Sequence, residues 1–340
     1  MGRLPLLAAL LLSAEARAEG PFTVGGLVEA YLAYGTTQPQ DGRFALQTTP
    51  SHHATPTVHM ITVDAKLDWR SLRGKLILGA GAGLAALHAP NPSLPAPSPL
   101  WQHLVEANVG YTIPVGGGLT IDAGIMPSHI GIEVFPSRDN WNWSHAFAAE
   151  LSPYYQAGLR VGYGLTKSLS VALLWLNGWG LVDQDHQFRS GGAELTWTST
   201  RLSVDLNLFA GQLPGDGAVR LFADLWAVFA PFRGLKAGAV LDGGVDVRRD
   251  GRAFFYAIGA YLRHQPLPYL ALSARADLYD DRGGAVTGLP QRLVEATLTV
   301  EGIYEVVVVR LEGRVDTSTE PTLDGAKERV TFLGALSSRF

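Results

Sequence analysis

Polar and apolar residues alternate along most of the chain from position 22 to the C-terminus. Between Ile61 and Arg70 the odd positions carry Ile, Val, Ala, Leu and Trp, and the even positions carry Thr, Asp, Lys and Arg. A period of two is typical of a β-strand whose two faces meet different environments. Roughly sixteen such segments follow one another, and each is about ten residues long, the length of a tilted strand that crosses a membrane.

The connections between these segments alternate between short and long. Short ones fall at 70–73, 114–117, 166–167, 199–201, 231–234, 265–268 and 301–304. Longer ones fall at 36–55, 87–99, 128–152, 180–188, 212–216, 281–289 and 317–326, and 248–251 is a tight exception. Outer-membrane barrels have short periplasmic turns and longer external loops, and an even strand number leaves both termini on the periplasmic side. The alternation therefore predicts a barrel of this kind.

Aromatic residues recur at the periplasmic ends of the predicted strands. We expect them to form a ring at the level of the lipid headgroups, where amphipathic rings are favoured; they are Trp69, Tyr111, Tyr163, Trp197, Phe229, Tyr261 and Phe340. A secreted β-sandwich would also alternate, but it needs neither this ring nor loops of unequal length. The predicted fold class is all-β, a transmembrane antiparallel β-barrel of about sixteen strands with an inward-folded long loop.

The N-terminus predicts export. Arg3 precedes an apolar run that ends at Leu12, and Ala16-Arg17-Ala18 is a small-x-small cleavage pattern, so residues 1–18 resemble a signal peptide and residues 19–340 form one barrel domain. Removal of Arg3, Glu15 and Arg17 changes the formal charge from -4 to -5, with 25 basic and 30 acidic residues left of 27 and 31. No later run reaches the ~18 apolar residues of a spanning helix.

The segment 128–152 departs most from the strand pattern. It lies between a strand at Leu119–Ile125 and another at Tyr154–Tyr163, and it mixes charges and histidines with Trp141, Trp143 and a helix-like piece from Ser144 to Leu151. Loops of this length in compact domains usually have a function. We expect it to fold into the lumen and to set what passes.

This region resembles the OmpL-like β-barrel porins of Gram-negative bacteria. The matching residues are Ala123-Gly124, Ile130-Gly131, Glu133, Asp139-Asn140, Ser144, Pro153-Tyr154-Tyr155, Gly158, Arg160 and Leu176-Asn177-Gly178-Trp179. The chain differs at Ile125, where the family has a basic residue, and at Gly180, where an acidic residue usually follows. The resemblance implies a porin-like channel in the outer membrane.

Charged residues that strand parity and the long loop place in the lumen are the candidate pore residues. They are Glu133, Arg138, Asp139, Glu150, Arg160, Arg220, Arg275, Arg310 and Arg314. Opposed charges across a narrow opening select solutes by charge and size, whereas charges elsewhere on a wet wall only solvate it. Because the two signs are nearly balanced, we predict weak ion selectivity. The aromatic side chains of the loop are expected mainly to pack it against the wall.

Other chemistries find little support in the sequence. There is no cysteine, so thiol nucleophiles and thiolate metal sites are excluded. The histidine spacings, with His52, His53 and His59 in one region and His129 and His145 in another, match no standard metal site. We therefore predict no metal and no cofactor. The acidic net charge and the lack of a basic patch argue against nucleic-acid binding.

The predicted function is an outer-membrane porin that forms a water-filled channel for passive diffusion of small hydrophilic solutes, narrowed by the loop at 128–152. Its partners would be the lipid bilayer of the outer membrane and small solutes or ions, with a homotrimer as one possible assembly. Two alternatives stay open. One is a barrel enzyme that hydrolyses lipid or peptide, for which Ser144, His145 and Glu150 are weak candidates. The other is a plugged barrel with a structural or adhesive role.

Overall fold

Sixteen antiparallel strands form a closed barrel in the computed structural model, which describes residues 20–88, 101–182, 190–214 and 217–340. Each strand pairs with the next one in sequence, and β1 pairs with β16. The strands are β1 (Phe22–Gly35), β2 (Thr57–Trp69), β3 (Leu72–Ala80), β4 (Leu104–Ile113), β5 (Leu119–Pro127), β6 (Tyr155–Gly164), β7 (Leu169–Leu176), β8 (Ser190–Thr198), β9 (Leu202–Gln212), β10 (Val219–Phe232), β11 (Leu235–Arg248), β12 (Gly251–Leu267), β13 (Leu270–Asp281), β14 (Gln291–Tyr304), β15 (Val307–Ser318) and β16 (Glu328–Arg339).

The strands form because their side chains suit two different environments. Along β14, every second residue is buried in the barrel and its neighbours are exposed on the outer surface. The exposed set there includes Val294, Leu298 and Val300, whereas Glu295, Thr297 and Thr299 point inward. A barrel that faces lipid requires apolar residues outside and tolerates polar residues inside. Closure of the sheet also leaves no strand edge with unpaired backbone groups in the lipid.

The two ends of the barrel differ. The connections at the end that holds both termini are short, and most of those at the other end are long, as the sequence predicted. Phe340 closes the last strand onto the first, since its amide donates to the carbonyl of Gly26 at 3.1 Å and its carbonyl accepts from the Gly26 amide at 2.9 Å. Among the described residues, no helix combines the length and the apolar character needed to span a bilayer. The predicted signal peptide, residues 1–18, lies outside the described residues.

The predicted aromatic ring is only partly correct. Trp69, Tyr111 and Phe229 are about half exposed on the outer surface near the periplasmic end. Tyr261 is wrong, because its side chain is 6% exposed and lies edge-on to Trp141 inside the barrel, with the ring centroids 6.3 Å apart. Ile258 and Leu262 face outward instead, so the inner face of β12 was assigned to the wrong parity.

Within the described ranges, two outer connections carry a short helix into the barrel. After β3 a short helix, α1 (Ala82–Leu87), turns back over β2. After β5 the segment 128–154, here called the inner loop, crosses the lumen; it contains α2 (Phe147–Glu150), shorter than the helical piece predicted from Ser144 to Leu151. Trp143 and Phe147 have no exposed surface, so the inner loop is packed within the barrel, as expected from the sequence.

Candidate functional site

Arg310, on β15, binds the backbone of the inner loop. Its guanidinium donates to the carbonyls of Asn140 at 2.7 Å, Asn142 at 3.3 Å and Arg138 at 3.2 Å, and also to that of Ser137. Its remaining Nε donor goes to Glu301 on β14 at 2.6 Å. The chain therefore turns around one buried cation, which satisfies carbonyl groups that would otherwise be buried without partners.

Glu312, two residues further along β15, binds backbone N–H groups of the same loop, whereas Arg310 binds its carbonyl groups. Its two carboxylate oxygens accept from the backbone amides of Trp143 at 2.6 Å and Ser144 at 3.0 Å. Thr299 on β14 donates to Glu312 at 2.7 Å and accepts from the Asn142 side chain at 2.7 Å. Arg310 and Glu312 thus hold the carbonyl and amide groups of one turn against the wall.

A third attachment consists of ion pairs on β13 and β14. Arg275 donates to Glu295 at 2.6 Å and to Glu133 of the inner loop at 2.9 Å, and all three side chains are at most 5% exposed. Glu133 also accepts from the Ala146 amide at 2.9 Å, and Arg275 donates to the carbonyl of Ser144. Buried charges are tolerated when they are paired in this way. Burial nevertheless raises the pKa of Glu133, and Arg275 opposes that shift.

The inner loop also contacts the first outer loop. Glu150 accepts from the amide and hydroxyl of Thr48 at 2.9 and 2.6 Å and from the Thr49 amide at 3.1 Å. Burial raises the pKa of Glu150 to about 7, although these hydrogen bonds oppose the shift. The neighbouring His145, 2.6 Å from the Tyr154 hydroxyl, has its pKa lowered well below the usual value by burial first and by His59, Arg275 and Arg314 next.

Aromatic side chains fill the outer part of the lumen beside these polar contacts. Trp179 meets Phe209 and Phe222 edge-on, each with ring centroids 5.0 Å apart, and Phe222 stacks on Phe255 at 5.9 Å. Arg220 lies over the rings of Trp179 and Phe255 and pairs with Asp246 at 2.8 Å. This part of the interior is packed like the core of a soluble protein.

The strand residues that bind the inner loop in these contacts, Arg275, Arg310 and Glu312 with their partners, fall on one side of the barrel, here called the packed wall: the inward faces of β13–β16 and β1. The aromatic cluster lies beside it, on β9, β10 and β12. Every inward residue named from the packed wall is less than a tenth exposed, including Glu29, whose carboxylate accepts from the Arg138 amide at 2.7 Å. The opposite side, here called the open wall, is the periplasmic half of the inner faces of β2–β8. Its charged groups include Asp64, Lys66, Arg73, Lys75, Glu106, Asp122, Arg160 and Glu194.

The open wall carries ion pairs that are accessible to water. Arg73 pairs with Asp122 at 2.6 Å, Lys75 with Glu106 at 2.6 Å, and Arg160 with Glu194 at 2.7 Å. The three cationic side chains are between 30 and 38% exposed. The Lys75–Glu106 pair links the adjacent strands β3 and β4, whereas the other two pairs span one intervening strand, from β3 to β5 and from β6 to β8. All three run along the wall and none joins it to the inner loop. This side is therefore where water meets charged side chains.

A cavity of about 260 Å³ lies between the open wall and the inner loop. Leu84 and Leu87 of α1, Phe135 and Tyr154 of the inner loop line its outer part, and charged side chains line the part toward the periplasm. At that lower end Arg339 forms two bonds of 2.7 Å with Asp139, one from each terminal nitrogen. The cavity shows where the inner loop leaves space in the lumen.

The nine candidate pore residues separate into two groups. Asp139 and Arg160 are partly exposed in the open part of the lumen. The others attach the inner loop or the outer aromatic cluster to the walls; they are Glu133, Arg138, Glu150, Arg220, Arg275, Arg310 and Arg314, the last of which donates to the carbonyl of His145. Sequence parity placed the strand members in the lumen, but it carried no signal for which side the loop covers. The sequence pattern predicted neither Glu29 as an anchor nor α1 as part of the lumen lining.

The described residues offer little for hydrolysis or metal binding. Ser144 accepts from Arg275 through its hydroxyl at 3.1 Å, so it is engaged away from His145. Ser51 lies 3.0 Å from His52, yet its side chain is 1% exposed and also contacts the Tyr31 hydroxyl; a substrate cannot reach it. Across the described ranges, no group of three or more His, Asp or Glu side chains has the arrangement of a metal site.

The family model described as "Putative beta-barrel porin-2, OmpL-like" matches residues 21–340. The chain belongs to this porin family. Among curated proteins, no sequence is similar enough to count as a relative. Membership of this family makes the protein an outer-membrane channel protein of the OmpL-like type, and its closed barrel of sixteen strands agrees with that membership.

Solved outer-membrane barrels share the fold of this OmpL-like porin. An anion-selective porin from Comamonas acidovorans superposes with a TM-score of 0.62 at 12% identity, over 94% of this chain and 99% of that one. OmpT of Vibrio cholerae in its trimer form superposes with a TM-score of 0.61 at 10% identity, over 94% of this chain and 99% of that one. OprD of Pseudomonas aeruginosa superposes with a TM-score of 0.53 at 10% identity, over 96% of this chain and 98% of that one. At these identities the likeness concerns the fold.

Proposed function

We propose that small hydrophilic solutes diffuse passively through this porin along the open wall, while the inner loop fills the rest of the lumen. The observation that carries the proposal is the difference in exposure between the two walls. Cationic side chains on β3 and β6 keep about a third of their surface in water, whereas Arg275 and Arg310 on the packed wall keep almost none. Water and dissolved solutes need the first kind of surface.

The buried charges have a mechanical role in this proposal. Arg275, Arg310 and Glu312 bind backbone groups that are fixed in the inner loop, so the loop cannot swing freely into the remaining space. A loop held by several buried charge-assisted bonds keeps the constriction at one size. The outer aromatic cluster around Trp179, on β9, β10 and β12 beside the packed wall, adds apolar contacts with Phe147 of the inner loop.

The charges along the open wall support weak ion selectivity. Arg73, Lys75 and Arg160 are each matched by a carboxylate on a nearby strand at 2.6 to 2.7 Å. Paired charges on one wall leave little net potential for a passing ion of either sign, because the field of each pair falls off over a short distance. The solutes that we expect are small, and net charge should matter less than size.

Deletion of residues Phe135 to His145 tests the constriction. The deletion removes the turn that Arg310 and Glu312 hold, so the single-channel conductance of the inserted protein should rise, because the lumen gains cross-section. Correct folding is checked by the shift of the unheated barrel in gel electrophoresis. A correctly folded deletion variant with unchanged conductance would contradict the constriction. A barrel that is silent before deletion and conducts after it would favour the plugged alternative.

We further infer that the chain is exported by residues 1–18 and acts without a catalytic step. The leader sequence, in which Arg3 and an apolar run precede the Ala16-Arg17-Ala18 cleavage pattern, supports export. The family membership and the buried state of Ser51 and Ser144 support a role without catalysis. A homotrimer is the assembly that we propose, supported by the trimer form described for the Vibrio cholerae protein of the same fold. N-terminal sequencing of the mature protein and crosslinking of the membrane-inserted barrel test these two points.

A further inference from the structure

The cavity beside the open wall is amphipathic along its length. Its outer part is apolar and is formed by Met60, Leu84, Phe135 and Tyr154, which belong to one cluster of buried side chains. Its lower part is charged, with side chains from β2, β3, β4, β16 and the inner loop; these are Asp64, Lys66, Lys75, Glu106, Asp139 and Arg339. A solute that crosses this cavity therefore contacts an apolar surface and a group of charged side chains at the same time.

Most of the charges in the lower part are already satisfied. Lys75 pairs with Glu106 at 2.6 Å, and Arg339 pairs with Asp139 at 2.7 Å. Among the described residues, the Asp64 carboxylate accepts a hydrogen bond only from the Thr62 hydroxyl, at 2.7 Å. Lys66 is exposed, and within the described ranges no carboxylate lies at ion-pair distance from it. Lys66 and Asp64 thus have no ion-pair partner on the part of the cavity wall that the structure describes.

Asp64 and Lys66 stand two residues apart on β2, so their side chains share the inward face. Successive residues on one face of a strand are ~7 Å apart. A small molecule that carries an ammonium and a carboxylate on one carbon fits between these two side chains, with its ammonium bonded to Asp64 and its carboxylate bonded to Lys66. The three cations and three anions of the lower part sum to zero charge, which favours a ligand without net charge over a free anion or cation.

We propose that this cavity binds small zwitterions with an apolar side chain, that is, α-amino acids of the size of leucine. The carboxylate lies at Lys66, the ammonium at Asp64, and the side chain extends toward Leu84 and Phe135. The volume of about 260 Å³ is near the lower limit of ligand pockets, which span ~300–1,000 Å³. The inference rests on the proposed function, because it assigns a substrate class to the same open side of the lumen.

Four ligands separate the contributions to this binding. Leucine carries both charges and the side chain, glycine lacks the side chain, isocaproate lacks the ammonium, and leucinamide lacks the carboxylate. Each is added at pH 6 to single channels in a planar bilayer, and the interruption of the KCl current is recorded. Burial of the apolar side chain predicts that leucine blocks at ~10-fold lower concentration than glycine.

Two substitutions then divide the ligands. Lys66→Met should raise the blocking concentrations of leucine and isocaproate by about 3- to 10-fold, because it removes one charge-assisted bond at a partly exposed site. The blocking concentration of leucinamide should stay unchanged. Asp64→Asn should raise the blocking concentrations of leucine and leucinamide and leave that of isocaproate unchanged. Lys236→Met is the matched control, since Lys236 is exposed on β11 and does not line the cavity; it should change none of the four.

The outcomes distinguish this inference from the proposed function. A conducting channel in which leucine blocks no better than glycine, or in which both substitutions affect all four ligands alike, overturns the zwitterion site and leaves the pore intact. A barrel that carries no current contradicts the pore. In that case calorimetric titration of leucine and glycine into the folded protein in detergent still decides the binding, and equal affinities would overturn the site.

Discussion

The two walls of the barrel use the same residue types for different ends. On the packed wall, Arg275 pairs with Glu295 at 2.6 Å and neither side chain has exposed surface. On the open wall, Arg73 pairs with Asp122 at the same distance, and these side chains are 38 and 19% exposed. The distance between the paired atoms is the same, but Arg275 has no contact with water and also binds Glu133 and the Ser144 carbonyl. Burial and these added bonds, more than the pair alone, decide what such a charge does.

Burial changes the consequence of losing a partner. A guanidinium in water can exchange one carboxylate for hydration at little cost, and such exposed pairs contribute ~0–1 kcal/mol. A buried guanidinium that also binds backbone carbonyls has no such substitute. The packed wall therefore fixes the inner loop, and the open wall stays free to meet ions and solutes.

The largest effect is expected when this difference is tested directly with one substitution on each wall. Arg275→Met leaves Glu133 and Glu295 buried without their cation, and the free energy of unfolding should fall by ~3–5 kcal/mol. Arg73→Met should lower it by less than ~1 kcal/mol. Urea unfolding of both variants in lipid vesicles provides the measurement. Similar losses from the two variants would show that the walls are not energetically distinct.

A change of pH should act on the packed side through Glu150. Its pKa of about 7 in the folded protein lies above its ordinary value of 4.5, so the neutral form stabilises the fold and this contribution is lost as pH rises from below 4.5 through 7. Between pH 5 and 8 the stability of the native chain relative to Glu150→Gln should fall by ~2 kcal/mol.

The comparison with Glu150→Gln isolates this group from its neighbour. The lowered pKa of His145 acts in the opposite direction, because its neutral form stabilises the fold above about pH 6.5 and that contribution is lost as pH falls. His145 is present in both proteins, so its effect cancels in the difference. Parallel pH profiles for the two proteins would mean that Glu150 does not titrate in this range.

A smaller effect on stability, but a clear one on permeation, is expected from Arg160 on the open wall. Arg160→Glu replaces the cation of the pair with Glu194 by a second anion and should shift the reversal potential in a salt gradient toward cation preference, because the wall gains negative charge. Arg160→Gln should give about half of that shift. Stability should change by less than ~1 kcal/mol. An unchanged reversal potential in both variants would place Arg160 away from the ion path.

The strands were predictable from sequence because alternation is a local property. The inward side of β14 follows from every second residue being polar, and the closed barrel of sixteen strands was confirmed. The prediction was wrong at Tyr261 because a ring suits both a headgroup ring and an aromatic contact such as that with Trp141. Local pattern did not distinguish these two environments.

The position of the inner loop was not predictable in the same way. Its entry into the lumen was expected, but Arg310 and Asn140, which meet at 2.7 Å, are 170 residues apart in sequence. Backbone carbonyls, which are the same in every residue, accept most of the bonds that Arg310 donates to the loop. Residue types therefore carry no signal for which strands the loop covers. The cavity lining from α1 was missed because a helix as short as Ala82–Leu87 has too few turns to show a helical period.

The most direct test of the account is the reactivity of single cysteines on the two walls, for which the absence of native cysteine is well suited. Thr120→Cys and Thr196→Cys place a thiol on the inner faces of β5 and β8, and Thr299→Cys places one behind the inner loop, where the native side chain is 3% exposed. A charged thiol reagent is added to conducting channels. The current should change for Thr120→Cys and Thr196→Cys, and it should change for Thr299→Cys only after residues Phe135 to His145 are deleted. Rapid modification of Thr299→Cys in the full-length barrel, with no effect at the other two positions, would contradict this prediction.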